Sequence, residues 1–204
     1  MAASEVLPVN HHADHPGFSG ITGAVFGLIF LVIGRSKARL AVDLTEVSEN
    51  DRVVDIGCGP GSAVREAARR GARATGVDPS SVLLRLARAV TRDATVEWAE
   101  GTAENVPLPD GSATVLWSLA TVHHWKDVGL GLKEAHRILA PNGRLLAVER
   151  RSQPGATGLA SHGWTQQQAE SFAAQCRAAG FGDVAIDQHG GGRRAVWAVS
   201  ATRS

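Results

Sequence analysis

Three glycines at alternate positions, Gly57, Gly59 and Gly61, follow the short segment Val53–Ile56 in this chain. The segment has the β-branched composition of a buried strand, and Ser62–Arg70 after the glycines has helical spacing. A glycine turn between a strand and a helix lets the backbone approach a ligand closely and presents unpaired N–H groups to it. The pattern therefore predicts a nucleotide-type binding corner.

The spacing of these glycines weakens two phosphate-binding interpretations. A dinucleotide fingerprint has its third glycine one position later, where this chain has Ser62. A phosphate P-loop has Gly-Lys-Ser/Thr, which the turn lacks. The corner is therefore expected to bind a ligand through features other than a phosphate cradle.

An acidic residue stands where the second predicted strand ends. Ala72–Val77 is predicted to be that strand, and Asp78 follows it. In open α/β sheets the ligand lies beyond the carboxyl ends of the strands, so this carboxylate can accept hydrogen bonds from both hydroxyl groups of a ribose. A lone aspartate at a strand end more often caps a helix, but beside the glycine turn the ribose interpretation is favoured.

Two consecutive histidines, His123 and His124, follow the fourth predicted strand, Thr114–Leu119, and Glu149 ends the fifth. A histidine side chain has an unperturbed pKa of about 6.5, so it can act as a general base at neutral pH. We predict that one of the pair is catalytic, with Glu149 as the alternative base or acceptor ligand. The competing interpretation is that one histidine only packs and bonds to the backbone.

The N-terminal segment contains His11, His12, Asp14 and His15, followed by the apolar run Ile21–Ile33. Consecutive ligands rarely meet tetrahedral geometry alone, so we expect a polar lid or solvated arm rather than a metal site. The apolar run is shorter than the roughly 20 residues that cross a bilayer. We expect it to form a helix over the active site or in the core, with contact to a membrane surface as the alternative.

The elements around these residues alternate between strands and helices with short links. This order predicts a doubly wound, mainly parallel α/β sheet. The tail differs, because a helix opened by the capping box Thr165-x-x-Gln168 precedes two strands, Asp183–Gln188 and Arg194–Ala201. Consecutive strands joined by a glycine loop are expected to pair antiparallel.

At 204 residues the chain suits one domain. We expect residues 1–35 to form an N-terminal arm and lid helix, and residues 36–204 to form the core, with Ser36 capping a helix through about Val47. A formal net charge of +1 gives no electrostatic footprint for nucleic acid. The cysteines, Cys58 and Cys176, suggest no disulfide framework, so a cytoplasmic location is expected.

The stretch Val53–Gly61 resembles motif I of class I S-adenosylmethionine (SAM)-dependent methyltransferases, in the branch typified by ubiquinone and menaquinone methyltransferases. Two later segments agree with this resemblance. Gly101–Gly111 resembles the family's G-D-A-E-x-L-P-F-P-D-G, and Glu134–Leu145 resembles its E-x-x-R-v-L-k-P-G-G-x-l. Several motifs in the family's order make the resemblance specific, and it covers approximately Ser36–Ala201.

The resemblance implies a Rossmann-like, seven-stranded sheet with a C-terminal antiparallel hairpin, and SAM as the cofactor, converted to S-adenosylhomocysteine. It places Asp55 near the methionine amino group and Asp78 on the ribose. Thr102 replaces the family's aspartate, which accepts from the adenine amino group, so that contact lacks a full charge here. The cofactor-binding residues it implies are Asp55, Gly57, Cys58, Gly59, Gly61, Asp78, Pro79, Thr102, Ala103, Glu104 and Ser118.

The resemblance implies a methyltransferase for a small acceptor. The paired histidines and the His-rich N-terminus favour a hydroxyl acceptor, with a closer similarity to sugar O-methyltransferases of methylated-mannose polysaccharide synthesis. One alternative is C-methylation of a quinone or lipid. Another is a SAM-binding regulatory subunit without catalysis. No metal and no nucleic acid partner are expected, and the oligomeric state stays open.

Overall fold

The computed structural model describes residues 8–13 and 34–204. The predicted helix Ile21–Ile33, together with Asp14 and His15, lies outside these described residues. A seven-stranded sheet forms the centre of the fold, in the order β3-β2-β1-β4-β5-β7-β6. Its strands are β1 (Arg52–Ile56), β2 (Arg73–Asp78), β3 (Val96–Glu100), β4 (Ala113–Leu119), β5 (Leu139–Arg150), β6 (Phe181–His189) and β7 (Val196–Arg203).

The first five strands run parallel, and the two C-terminal strands form the antiparallel part of the sheet. β1 pairs in parallel with β2 and β4, β2 with β3, and β4 with β5. β7 pairs antiparallel with both β5 and β6. The predicted doubly wound α/β sheet with a C-terminal antiparallel hairpin is therefore confirmed.

Helices cover both faces of the sheet. They are α1 (34–44), α2 (Ser62–Arg69), α3 (Ser81–Val90), α4 (Val128–Ile138) and α5 (Gln166–Ala178). Neighbouring residues of one strand enter opposite cores: Val53 packs in the cluster that includes residues of α1 and α2, and Val54 in the cluster that includes residues of α4 and α5. A strand buried on both faces carries apolar residues on both, which is why the consecutive residues Val53 and Val54 are both apolar.

The predicted helix caps of α3 and α5 are confirmed. The Ser80 hydroxyl accepts from the backbone N–H of Leu83, and Thr165 forms the complete capping box with Gln168. Such caps satisfy N–H groups that the first helical turn leaves unpaired, and each contributes about 1 kcal/mol.

The predicted cap at Ser36 is wrong. Residues 34–44 are helical, so Ser36 lies inside α1 as an exposed residue and caps nothing. The helix also ends before the predicted Val47, because the chain turns at Glu46, whose φ is 47°. A polar residue beside an apolar stripe can mark either a helix start or a solvent face, and here it marks the solvent face.

β5 begins earlier than the predicted Arg144. Leu139 already pairs with Ala113, and the pairing shifts register between Ala113 and Val115. Asn142 has a left-handed φ of 61° within this stretch, so the predicted turn is an irregularity inside the strand. Among residues 8–13 and 34–204, no helix combines the length and the apolar character that a bilayer crossing requires.

Candidate functional site

The glycine turn after β1 has left-handed backbone angles at each of its three glycines. Their φ values are 75° at Gly57, 53° at Gly59 and 77° at Gly61. The N–H of Gly57 donates to the carbonyl of Val77 at 2.8 Å, which fixes the turn against the end of β2. Residues with a Cβ adopt these angles at a cost, so the turn depends on glycine.

The three glycines differ in what surrounds them. A Cβ on Gly57 would lie 2.5 Å from a side-chain atom of Thr121, and one on Gly61 would lie 2.0 Å from the ring of Trp98. A Cβ on Gly59 would meet no atom of residues 8–13 or 34–204 within 4 Å. Gly57 and Gly61 are therefore required for packing inside the protein, whereas Gly59 faces open space that a ligand can enter.

Asp78 ends β2 and is 6% exposed. Its Oδ2 accepts from the N–H of Gly59 at 2.8 Å, and its Oδ1 accepts from the N–H of Ser80 at 2.8 Å. Burial raises the pKa of Asp78, and these two hydrogen bonds oppose the rise. A carboxylate has about four acceptor positions, so two remain for hydroxyl donors of a ligand.

Asp55 lies at the C-terminal end of β1 and is 3% exposed. Burial, and then the neighbouring charge of Asp78, raises the pKa of Asp55 to about 8. Its Oδ1 is buried and has no hydrogen-bond partner among the described residues. A buried acceptor without a donor suits a ligand that carries an ammonium group.

The loop after β3 is held by internal hydrogen bonds. Thr102 and Asn105 exchange backbone hydrogen bonds, both at 3.3 Å. Ala103 is buried in the core. The Glu104 carboxylate accepts from the N–H groups of Lys126 and the next residue, at 2.7 and 3.2 Å, so it ties this loop to the approach to α4. The Glu104 carboxylate therefore has hydrogen-bond partners within the protein, in addition to the cofactor contact that the resemblance implies.

The remaining implied cofactor residues surround the turn. Burial, followed by the charge of Asp78, raises the pKa of the Cys58 thiol well above its usual value, so this side chain is a neutral part of the turn. Pro79 is exposed between β2 and α3. Ser118 is fully buried, with its Oγ 2.7 Å from Oγ1 of Thr121. The Thr121 hydroxyl in turn donates to the carbonyl of Ile56 at 3.0 Å.

His123, beyond the end of β4, and Glu149, near the end of β5, form a buried pair. Nδ1 of His123 lies 2.9 Å from Oε2 of Glu149, and the two side chains are 4% and 0% exposed. Burial alone would raise the pKa of Glu149, but the charge and hydrogen bond of His123, with the charge of Lys37, hold it below its usual value. An ionised Glu149 accepts from Nδ1–H of His123, so a neutral His123 ring has its lone pair on Nε2.

Lys37 is a participant that the sequence patterns did not indicate. It lies on α1, and burial lowers its pKa while the charge of Glu149 opposes that shift. No local motif links a lysine on the first core helix to a carboxylate on the fifth strand. The parallel sheet brings them near each other.

His124 is half-buried beside this pair. Its Nδ1 lies 3.3 Å from the backbone carbonyl of His12, and since a carbonyl only accepts, Nδ1 carries the hydrogen. Burial, followed by the charge of His123, lowers the pKa of His124 to about 4. His124 is therefore a neutral imidazole at pH 7, which makes it a poor candidate for a base that becomes protonated.

The described part of the N-terminal segment, residues 8–13, contacts the same end of the sheet. The backbone N–H of His12 donates to the carbonyl of His123 at 2.9 Å. The side-chain amide of Asn10 donates to the carbonyls of Trp125 and Lys126 at 3.0 and 3.2 Å. These contacts place the segment over the histidines that follow β4.

Five imidazole rings of the described residues meet there, and we refer to them as the histidine cluster: His11, His12, His123, His124 and His162. The rings of His12 and His162 are stacked, with centroids 4.1 Å apart and planes at 9°. The centroids of His123 and His124 are 4.2 Å apart. Sequence reasoning missed His162, because a lone histidine in a loop has no spacing pattern that could reveal it.

Comparison with known proteins agrees with this arrangement. Residues 54–147 match the family model of a methyltransferase domain. A relative, the 27-O-demethylrifamycin SV methyltransferase of Amycolatopsis mediterranei, is 34% identical over 143 residues, which are 67% of this chain and 48% of that protein. The ubiquinone/menaquinone biosynthesis C-methyltransferase UbiE of Rubrivivax gelatinosus is 32% identical over 117 residues, which are 57% of this chain and 46% of that protein. The chain spans about half the length of both relatives.

The solved structure of a SAM-dependent methyltransferase from Aquifex aeolicus has the same fold. It is 15% identical, has a TM-score of 0.67, and the match covers 85% of this chain and 97% of that chain. At this identity the likeness is one of fold. Residues 54–147 thus match a methyltransferase domain, and the chain has the fold of solved SAM-dependent methyltransferases.

Proposed function

We propose that this protein is a SAM-dependent methyltransferase that methylates a hydroxyl group of a small acceptor. The observation that carries the proposal is that the glycine turn and the histidine cluster are adjacent. Thr121, two residues before His123, donates to the carbonyl of Ile56, which immediately precedes Gly57. A cofactor at the turn and an acceptor at the cluster would therefore lie next to each other.

The residues around the turn fit SAM. The open space at Gly59 leaves room for the cofactor to lie against the turn. The two remaining acceptor positions of Asp78 suit the ribose hydroxyl groups. The unpaired Oδ1 of Asp55 suits the methionine ammonium group. We assign Thr102 to the adenine end, where its hydroxyl replaces the usual carboxylate. These assignments use opposite ends of one elongated ligand.

When bound, SAM supplies a methyl group on a positively charged sulfur, which an oxygen nucleophile attacks in line. The protein positions the acceptor and removes the hydroxyl proton. We assign that proton to Nε2 of His123, because the carboxylate of Glu149 holds the ring from Nδ1 and stabilises its protonated form. Glu149 is then a positioning residue, since it acts through His123.

The acceptor class is proposed from the polarity of the histidine cluster. Imidazole rings offer both donors and acceptors, which suit a sugar or another polyol more than an apolar ring. The second candidate is C-methylation of a quinone, supported by the similarity to the C-methyltransferase UbiE.

Both described cysteines are free and buried, which supports a reducing compartment such as the cytoplasm.

The proposed function is tested by an acceptor screen that measures S-adenosylhomocysteine release with sugars, quinones and lipids. We expect turnover with a hydroxyl acceptor and product that carries an O-methyl group by mass spectrometry. Turnover with quinones and none with hydroxyl acceptors would overturn the O-methylation proposal. Binding of SAM with no turnover on any acceptor would favour a regulatory SAM-binding protein instead.

A further inference from the structure

Three histidines from two segments of the chain converge at the acceptor end of the site. One ring nitrogen from each of His123, His124 and His162 lies within 4.8 Å of the other two. Three nitrogens bound to one zinc ion in tetrahedral geometry, at 2.0–2.1 Å from the metal, lie about 3.4 Å from each other. Closing each separation by at most about 1.4 Å would therefore let all three nitrogens ligate one ion.

We propose that His123, His124 and His162 form a binding site for a divalent transition-metal ion of the zinc class. Imidazole nitrogen is a ligand that zinc and its neighbours favour, whereas Mg²⁺ and Ca²⁺ take oxygen ligands. The described residues supply three protein ligands for this site. That count is typical of a catalytic rather than a structural site.

The surroundings of the first two ligands orient them for this role. Nδ1 of His123 donates to Glu149 at 2.9 Å, and Nδ1 of His124 donates to the carbonyl of His12 at 3.3 Å. Both contacts leave Nε2 with the lone pair. Metal-bound histidines usually donate their second ring nitrogen to a carboxylate or a carbonyl in this way, which fixes the ring and makes the ligand more basic.

The third ligand is held by the N-terminal segment. The ring of His12 stacks on that of His162 at 4.1 Å, and the backbone of His12 is bonded to His123. The carboxylate of Glu149, fully buried against His123, supplies negative charge next to three neutral ligands. The N-terminal histidines alone predicted no metal site, and the proposed ligands come instead from the β4–α4 connection and from the loop after β5.

The role of the ion rests on the proposed function. An ion held by these three histidines would lie among the rings assigned to the acceptor, where it could bind an acceptor oxygen and make that oxygen easier to deprotonate. Nε2 of His123 has one lone pair, so it would serve as the base in the metal-free protein and as a ligand when the ion is bound. Metal binding itself can be measured without an acceptor.

The experiment is a zinc titration of the untagged full chain after treatment with a chelator, followed by calorimetry. We expect saturable binding of one Zn²⁺ per chain. His162→Asn should weaken it by more than about 100-fold, and Glu149→Gln by about 10–100-fold. His136→Asn is the matched control, because this histidine lies on α4 outside the cluster and packs against Phe181. It should leave the affinity unchanged.

Two further measurements keep the proposal testable if a variant misfolds. The wild-type chain loaded with Co²⁺ should show the intense visible absorption of a four-coordinate site, and X-ray absorption of the zinc form should show nitrogen ligands. No saturable zinc binding, equal affinity in His162→Asn, or a metal shell of oxygen alone would overturn the site.

S-adenosylhomocysteine titrated into the same metal-free chain separates the two proposals. Cofactor binding without zinc binding contradicts only the metal site, and zinc binding without cofactor binding contradicts only the proposed function.

Discussion

The backbone N–H of Gly59 donates to Oδ2 of Asp78 at 2.8 Å, so the glycine turn after β1 and the acidic end of β2 are joined directly. The two residues are far apart in the sequence but adjacent in the parallel sheet. This bond fixes the turn in the shape that leaves Gly59 facing open space. The proposed cofactor site is therefore organised by the protein itself.

The glycines of the turn should respond differently to alanine. Gly59→Ala should cost only about 1–2 kcal/mol of stability, from its left-handed φ, while it weakens S-adenosylhomocysteine binding by filling the open space. Gly61→Ala should cost about 2–5 kcal/mol, because its Cβ also collides with Trp98. Denaturant unfolding and calorimetry measure both effects.

A double mutant provides the control for that collision. Trp98→Leu should recover part of the stability lost in Gly61→Ala and none of the affinity lost in Gly59→Ala. Equal effects of the two alanine substitutions on both stability and binding would show that the glycines have the same role.

The stability of the cofactor-free protein should fall as pH rises through about 8. Burial, and then Asp78, raises the pKa of Asp55 to about 8, above the value of about 3.9 in the unfolded chain. Between these two pKa values the folded state holds a proton that the unfolded state has lost. The contribution of this proton to the free energy of unfolding is therefore complete below about pH 4 and lost by about pH 9. Melting temperatures across this range measure the effect.

Asp55→Asn should flatten that pH dependence, because an amide does not titrate. Asp93→Asn is the matched control, since Asp93 is exposed and its pKa is lowered by hydrogen bonds from Thr95. If Asp55→Asn and the wild type lose the same stability between about pH 6 and about pH 9, Asp55 is not the responsible group.

His123 should be required for the chemical step. His123→Gln keeps an N–H donor for Glu149 but takes up no proton, so the single-turnover rate should fall by about 10²–10⁴. Its S-adenosylhomocysteine affinity and melting temperature should stay near those of the wild type. His136→Gln, outside the cluster, should retain the full rate. A near-wild-type rate in His123→Gln would instead assign the role to Glu149 or to the N-terminal histidines.

The N-terminal segment should affect the acceptor more than the cofactor. Asn10→Ala removes two hydrogen bonds to the backbone beyond β4, each contributing about 0.5–1.5 kcal/mol, so the acceptor KM should rise by about tenfold. Removal of residues 1–20 should impair acceptor turnover further. Asn50→Ala, in an exposed turn, is the control. If the cofactor affinity falls by the same factor by which the acceptor KM rises, the segment has no special role at the acceptor.

The sheet, the glycine turn and Asp78 could be predicted because their signals are local. A strand, three spaced glycines and a helix occupy one continuous stretch, and the acid sits at a recognisable strand end. Ser36 was misassigned because one polar residue does not distinguish a helix start from an exposed face. Glu104 matched a family motif, yet its backbone hydrogen bonds to the approach to α4 depend on tertiary packing.

The histidine cluster could be predicted only in part. His123 and His124 stand out as a pair at a strand end, and that position follows from the sheet order. Their closeness to His12 and His162 depends on where residues 8–13 and the loop after β5 lie in three dimensions. No spacing in the sequence encodes that meeting, because the three segments are held together by contacts between distant residues.

The central claim, that the turn binds SAM, is tested most directly by calorimetric titration of S-adenosylhomocysteine into the wild type and into Asp78→Asn. We predict one site per wild-type chain with a dissociation constant of roughly 1 μM to 1 mM. Asp78→Asn should weaken binding by about 1.5–3 kcal/mol, because hydrogen bonds to a charged carboxylate are lost. No saturable binding by the folded wild-type chain, or equal affinity in the variant, would contradict the account.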